Sequence, residues 1–273
     1  MFTRPALTRL CTLSAIAMAF AAGNARATTQ DDVLQASVLT GWQTGAGQQM
    51  VALRLDLAPG WKTYWRSPGD AGIPPEFDWS QSRNLASVTF HWPAPSVFET
   101  AGFTTIGYHD LLVLPVEIRA KDPSKPVDLA VTMEMGICRD ICLPASVALS
   151  ARIEGPGAPD PAIKTALAAQ PVAARAAGLS GISCAVEPIK DGLRLTATLA
   201  LPAQGKEETV AIETDDRRVW VSEAGASRKG GTLVAVADLV PAEAAPFALD
   251  RSGVKVTVIS ERGAVEVTGC PAP

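Results

Sequence analysis

Two cysteines, Cys138 and Cys142, stand in the segment Met133-Glu-Met-Gly-Ile-Cys-Arg-Asp-Ile-Cys-Leu-Pro144. A disulfide needs its Cα atoms roughly 4.4–6.8 Å apart, whereas positions four apart on an extended strand lie about 13 Å from each other. A bond between the two therefore requires the chain to turn at Arg139, Asp140 and Ile141. Gly136 before the pair and Pro144 after it are compatible with such a break. The ring so closed is very small, and chain-entropy stabilisation grows with loop length. Bonding gives this pair little to add to the fold, which makes thiol–disulfide exchange the stronger motive. One thiolate attacks a partner's disulfide, and the second cysteine resolves the mixed disulfide. Arg139 favours a thiolate at either sulfur and Asp140 opposes one, so on residue type alone either cysteine can attack. Two other uses stay open. One is a local structural disulfide. The other is a Cu(I) site, because Met133, Met135, Cys138 and Cys142 are all soft ligands, although methionines alternating on a strand also serve as core.

Cys184 and Cys270 present the opposite case. A bridge between them closes a loop of about 85 residues, worth roughly 4–5 kcal/mol by chain entropy, and we read it as a structural disulfide. The two histidines, His91 and His109, come without a nucleophile elbow or a metalloprotease pattern, and the chain has no phosphate-binding glycine loop. Hydrolytic and nucleotide-dependent chemistry therefore have no support in the sequence.

The elements that must position the cysteines are β-strands. Residues 49–57 alternate apolar and polar side chains over their second half, and residues 112–118 and 127–133 do so roughly. That period belongs to strands with one buried face. Turn-rich stretches such as residues 67–75 separate them. The composition changes at Gly155-Pro-Gly-Ala-Pro-Asp-Pro161, and an alanine-rich stretch with room for one short helix follows. Strand patterns resume at 193–199, 209–213, 232–239 and 254–259. The expectation is an all-β chain of two β-sandwich domains. The first spans residues 28–154, an Ala/Pro-rich linker 155–180, and a second, smaller domain 181–273.

The first 27 residues read as an export signal. Arg4 and Arg9 form its basic region, an apolar run too short to span a bilayer follows, and Ala25-Arg26-Ala27 offers a small-x-small cleavage site. Cys11 lies inside this leader. Cleavage leaves roughly 246 residues, comfortable for two domains, with four cysteines bound for an oxidising compartment. The net charge of −4 becomes about −7 once three leader arginines are lost, and no basic cluster stands out, so nucleic acid and anionic membranes are poor partners. After residue 27 no apolar run approaches a membrane span, so the mature chain is not expected to insert into a membrane.

Four motifs then occur in order: Gly60-Trp-Lys-Thr-Tyr-Trp-Arg-Ser-Pro-Gly-Asp-Ala-Gly-Ile-Pro-Pro75, Trp92-Pro-Ala-Pro95, Ile106-Gly-Tyr-His-Asp110 and Gly136-Ile-Cys-Arg-Asp-Ile-Cys-Leu-Pro144. Together, over about residues 33–153, they resemble the N-terminal periplasmic domain of the DsbD thiol:disulfide interchange family, and more closely its relative, the suppressor-of-copper-sensitivity protein ScsB. The resemblance implies an immunoglobulin-like first domain in the periplasm, with Cys138 and Cys142 as the redox pair and no cofactor. It implies electron flow from a membrane-embedded thiol–disulfide transporter to thioredoxin-like or peroxiredoxin-like proteins. Family members continue into a multi-span membrane domain. This sequence stops at Pro273, so the expected reductant is a separate protein. The alternative is a non-enzymatic Cu(I)-binding or scaffold module of a copper-tolerance system. An aromatic cap loop shields the cysteines in DsbD, and its counterpart here is expected around Phe98, Phe103 and Tyr108. Trp61, Tyr64 and Trp65 are read as core and loop-shaping residues, and Asp70 as a residue that could orient that loop.

Overall fold

The computed structural model describes residues 29–100 and 102–273; the expected signal at residues 1–27 lies outside them. The first β body opens with helix α1 (Gln30–Val33), followed by β1 (Leu34–Gly45), β2 (Gln48–Leu57), β3 (Lys62–Tyr64), β4 (Glu76–Asp78) and β5 (Leu85–Phe90). It continues with β6 (Ser96–Thr100), β7 (Phe103–His109), β8 (Leu111–Ala120), β9 (Val127–Cys138) and β10 (Cys142–Ile153). Two sheets result, ordered β1-β2-β8-β5 and β10-β9-β3-β7-β6, with β4 also paired to β9. Their facing sides enclose one core. Strand β9 supplies Leu129, Val131, Met133, Met135 and Ile137; β2 and β8 supply Val51, Leu53, Leu114 and Val116, and Trp61 and Trp65 close it. The first body is an immunoglobulin-like sandwich, as expected.

The alternation that fades in the first half of β2 has a physical cause. Met50, Val51, Ala52 and Leu53 are all buried, so both faces of the strand are covered there. The cover on the outer face is helix α2 (Pro161–Ala168), whose Ile163 and Ala166 pack on Met50, Ala52 and Val113. Proline at the first helical position suits a helix start. Asp160 caps it by accepting from the Ala162 and Ile163 amides at 2.7 and 3.2 Å. The stretch read as a linker is therefore partly an element of the first body. Ile163 is fully buried, so Ile163→Ala should cost about 2–5 kcal/mol, measured by denaturant unfolding. A loss below about 1 kcal/mol would show that the helix does not belong to this core.

The second body contains β11 (Val172–Ala173), β12 (Gly181–Ile189), β13 (Gly192–Ala200), β14 (Thr209–Glu213), β15 (Trp220–Val221), β16 (Gly225–Lys229), β17 (Thr232–Val240), β18 (Lys255–Ser260) and β19 (Gly263–Thr268). One sheet runs β11-β19-β18-β14; the other runs β12-β13-β17-β15, with β16 also on β17. Leu195, Leu199, Leu233, Val256 and Val258 fill the space between them. Cys184 on β12 is bonded to Cys270, just beyond β19, and both are buried.

The outer face of the β14-β18-β19 sheet rests on the first body. Ala211, Ile259 and Ala264 join the first core, while Val210, Val256, Val258 and Val265 belong to the second. That sheet is therefore buried on both sides. Arg66 crosses the junction: its guanidinium donates to both carboxylate oxygens of Glu213 at 2.9 and 3.0 Å and to Glu266 at 2.5 Å.

Candidate functional site

Cys138 ends β9 and Cys142 begins β10, directly opposite each other in antiparallel register. Arg139, Asp140 and Ile141 make the turn, closed by the Arg139 amide donating to the Ile141 carbonyl at 3.0 Å. The Cα atoms are 4.2 Å apart and the sulfurs are bonded. The turn leaves the two residues unequal. Cys138 is only 2% exposed, whereas Cys142 is exposed. Arg139 donates to Asp140 at 2.8 Å, so the two charges flanking the sulfurs largely answer each other.

Strand parity decides what else reaches the pair. Cys138 is opposite Lys62, and Lys62 is opposite His109. Opposed residues on neighbouring strands share a face, and so do residues two apart on one strand. Cys138, Gly136, Lys62, Tyr64, His109 and Thr105 thus lie on the outer face. Tyr64 is 2% exposed, and its hydroxyl donates to the Cys138 sulfur at 2.9 Å and lies 3.6 Å from that of Cys142. Burial raises the Tyr64 pKa, so the phenol keeps its proton at neutral pH. The ring fits because its neighbours lack side chains. A Cβ on Gly136 would sit 2.9 Å from the ring, and one on Gly72 would sit equally close. Lys62 is buried, its ammonium donates to Thr105 at 3.0 Å, and it lies 5.1 Å from the centre of the Phe98 ring. Burial lowers its pKa.

Between β3 and β4 the chain leaves the sheet as a loop over this face. The Trp65 amide donates to the Ile106 carbonyl and the Ile106 amide to the Pro68 carbonyl, both at 2.9 Å. Gly69 has φ +79°, and a Cβ there would meet the Thr104 carbonyl oxygen at 2.5 Å, so glycine is required at this close approach. Ile73 then lies over Gly136, its Cβ 3.0 Å from where a Gly136 Cβ would stand.

The expected aromatic cap divides three ways. Phe98 lies on the site's side of the sheet, its ring 4.3 Å from that of His109. Phe103 is 58% exposed where β7 begins. Tyr108 needs correction: one residue before His109, it points to the opposite face, into the core. There it stacks on Trp92 at 6.4 Å, and its hydroxyl donates to the Pro93 carbonyl at 2.8 Å. The soft-ligand set is not assembled either. Met133 and Met135 are odd-numbered, face the core and are buried, on the side of β9 away from Cys138. Tyr64 is the residue whose contact the sequence reading overlooked. The alternation Lys62-Thr63-Tyr64 held the signal, because it separates Tyr64 from the core-facing Trp61 and Thr63.

An immunoglobulin-like sandwich with a half-buried cystine at the tip of one hairpin has the geometry of a thiol–disulfide exchange module. Residues 30–152 match the family model "Thiol:disulfide interchange protein DsbD, N-terminal". Through this first body the chain is similar to the DsbD/ScsB N-terminal domain family. The crystal structure of the N-terminal periplasmic domain of ScsB from Proteus mirabilis is similar across both bodies. It shows 26% identity and a TM-score of 0.63, over 90% of this chain and 96% of that one. The reduced N-terminal domain of DsbD from Neisseria meningitidis is a more distant match. It has 20% identity and a TM-score of 0.24, over 46% of this chain and 86% of that one. No curated protein sequence matches the chain. Among the described residues no helix is long and apolar enough to cross a membrane.

Proposed function

We propose that the chain is a periplasmic electron relay in which Cys142 is the attacking cysteine and Cys138 the resolving one. The unequal exposure of the two sulfurs carries this reading. In the reduced protein the Cys142 thiolate attacks a partner's disulfide. A Cys142–partner disulfide forms and the partner's other sulfur leaves as a thiolate. The Cys138 thiolate then attacks Cys142, the partner departs as a dithiol, and the Cys138–Cys142 bond returns. Two electrons pass to the partner. Re-reduction runs the same steps backwards: a donor thiolate attacks Cys142 and expels Cys138. The Tyr64 hydroxyl stands where it stabilises that leaving thiolate, because hydrogen bonding to the charged form favours it.

The acceptors in this reading are thioredoxin-like or peroxiredoxin-like proteins of the periplasm, and the donor is a membrane-embedded thiol–disulfide transporter. A redox titration of the Cys138–Cys142 couple against glutathione tests it. The relay needs a potential within reach of such partners, and a value below about −300 mV, typical of structural disulfides, removes it.

A further inference from the structure

We infer that the second body is a positioning device for the exchange site, acting through Arg66 and Asp70 to keep the Tyr64 hydroxyl on Cys138. The inference rests on the exchange reading of Cys138 and assigns a task to the part of the chain that has no cysteine at the site.

Tyr64 is the last residue of β3, and Arg66 follows two residues later. The Arg66 side chain is 17% exposed, lies 4.2 Å over the Trp65 ring, and holds Glu213 on β14 and Glu266 on β19. A bidentate guanidinium–carboxylate pair fixes direction as well as distance. Glu266 is itself held, accepting from the Thr257 hydroxyl at 3.2 Å, with the Lys255 ammonium 3.7 Å away. A second anchor follows: the Asp70 carboxylate accepts from the Glu223 amide at 3.1 Å. The covering loop is therefore attached to the second body at residues 66 and 70, and then lays Gly72 and Ile73 on Tyr64 and Gly136.

The packing leaves no slack. The Tyr64 ring is confined between Gly72 and Gly136, at distances where even one added methyl must displace something. When both anchors hold, the ring has one position and its hydroxyl reaches Cys138. When they are released, the loop can lift, the ring gains room, and the hydroxyl loses its fixed aim. Cys138 then becomes a poorer thiolate and a poorer leaving group. The junction between the bodies is in this sense a remote control on sulfur chemistry.

The test uses the full chain with Cys142→Ser, which leaves Cys138 as the single thiol at the site. Its pKa is read from thiolate absorbance against pH. Tyr64→Phe is expected to raise that pKa by about one unit, the scale of a lost hydrogen bond to a charged group. Arg66→Ala is expected to raise it similarly, and to add nothing on top of Tyr64→Phe. Because Arg66→Ala also removes a positive charge, Asp70→Ala and the pair Glu213→Gln with Glu266→Gln are decisive. By charge alone, losing a carboxylate lowers a nearby thiol pKa, whereas release of the loop raises it. They also serve if Arg66→Ala does not fold. A rise in these variants that vanishes in the Tyr64→Phe background supports the inference. No change, a fall, or shifts that add to Tyr64→Phe overturn it while leaving the exchange reading intact. Failure of the unmutated Cys138–Cys142 pair to exchange with dithiothreitol overturns both.

Discussion

Cys138→Ser should accumulate a mixed disulfide with its periplasmic partner through Cys142, and Cys142→Ser should accumulate about ten-fold less, because attack needs an accessible thiolate. The expectation follows from a three-residue turn. Its geometry places Cys142 at the open start of β10 and Cys138 beneath Tyr64 and the covering loop. With Cys138 removed, the exposed thiolate still attacks, but nothing resolves the product. With Cys142 removed, the remaining sulfur is 2% exposed, and a folded partner cannot bring its own sulfur in line behind it. Non-reducing gels of periplasmic extracts, with mass spectrometry of the trapped species, give the yield and name the partner. Equal trapping by the two variants, or more by Cys142→Ser, would refute the assignment of roles.

The two disulfides should also separate cleanly in stability. Cys184 and Cys270 are 86 positions apart, and their bond should contribute about 4–5 kcal/mol through the unfolded chain, against roughly 2 kcal/mol for Cys138–Cys142. Alanine at both members of each pair avoids burying an unsatisfied hydroxyl, and denaturant unfolding of each double variant gives the two losses. The same contrast should appear without mutation. Mild reductant should release two thiols and leave Cys184–Cys270 closed, since both its sulfur-bearing residues are buried. Release of four thiols together, or a larger loss from the Cys138–Cys142 variant, would remove the division between an exchanging and a structural bond.

The sequence made the strands and the cysteine turn legible for one reason: both are local. Alternation marks the buried faces of β9, β13 and β17, and four-residue spacing dictates a turn whatever surrounds it. The hidden features depend on neighbours far along the chain. Tyr64 sits in an aromatic cluster whose other members are core, and only pairing of Lys62 with Cys138 shows that it faces the sulfur. Tyr108 fails as a cap because parity, not proximity to His109, decides its face. Met133 and Met135 fail as copper ligands for the same reason. The anchoring role of Arg66 depends on carboxylates 147 and 200 positions away, and no short-range pattern points to them.

Helix α2 docks on the first body and ends at Ala168, while β11 joins the second body's sheet at Val172. Only three residues span the interval, so the two attachment points can separate by roughly 10–15 Å at full extension. Such a leash makes every contact across the junction an intramolecular encounter, at an effective concentration in the millimolar range or above. An ion pair too weak to join two free proteins can recapture its partner here whenever the bodies part. Opening of the junction is thus expected to be brief and self-reversing, and a partner that needs it open must compete with a ligand that never diffuses away.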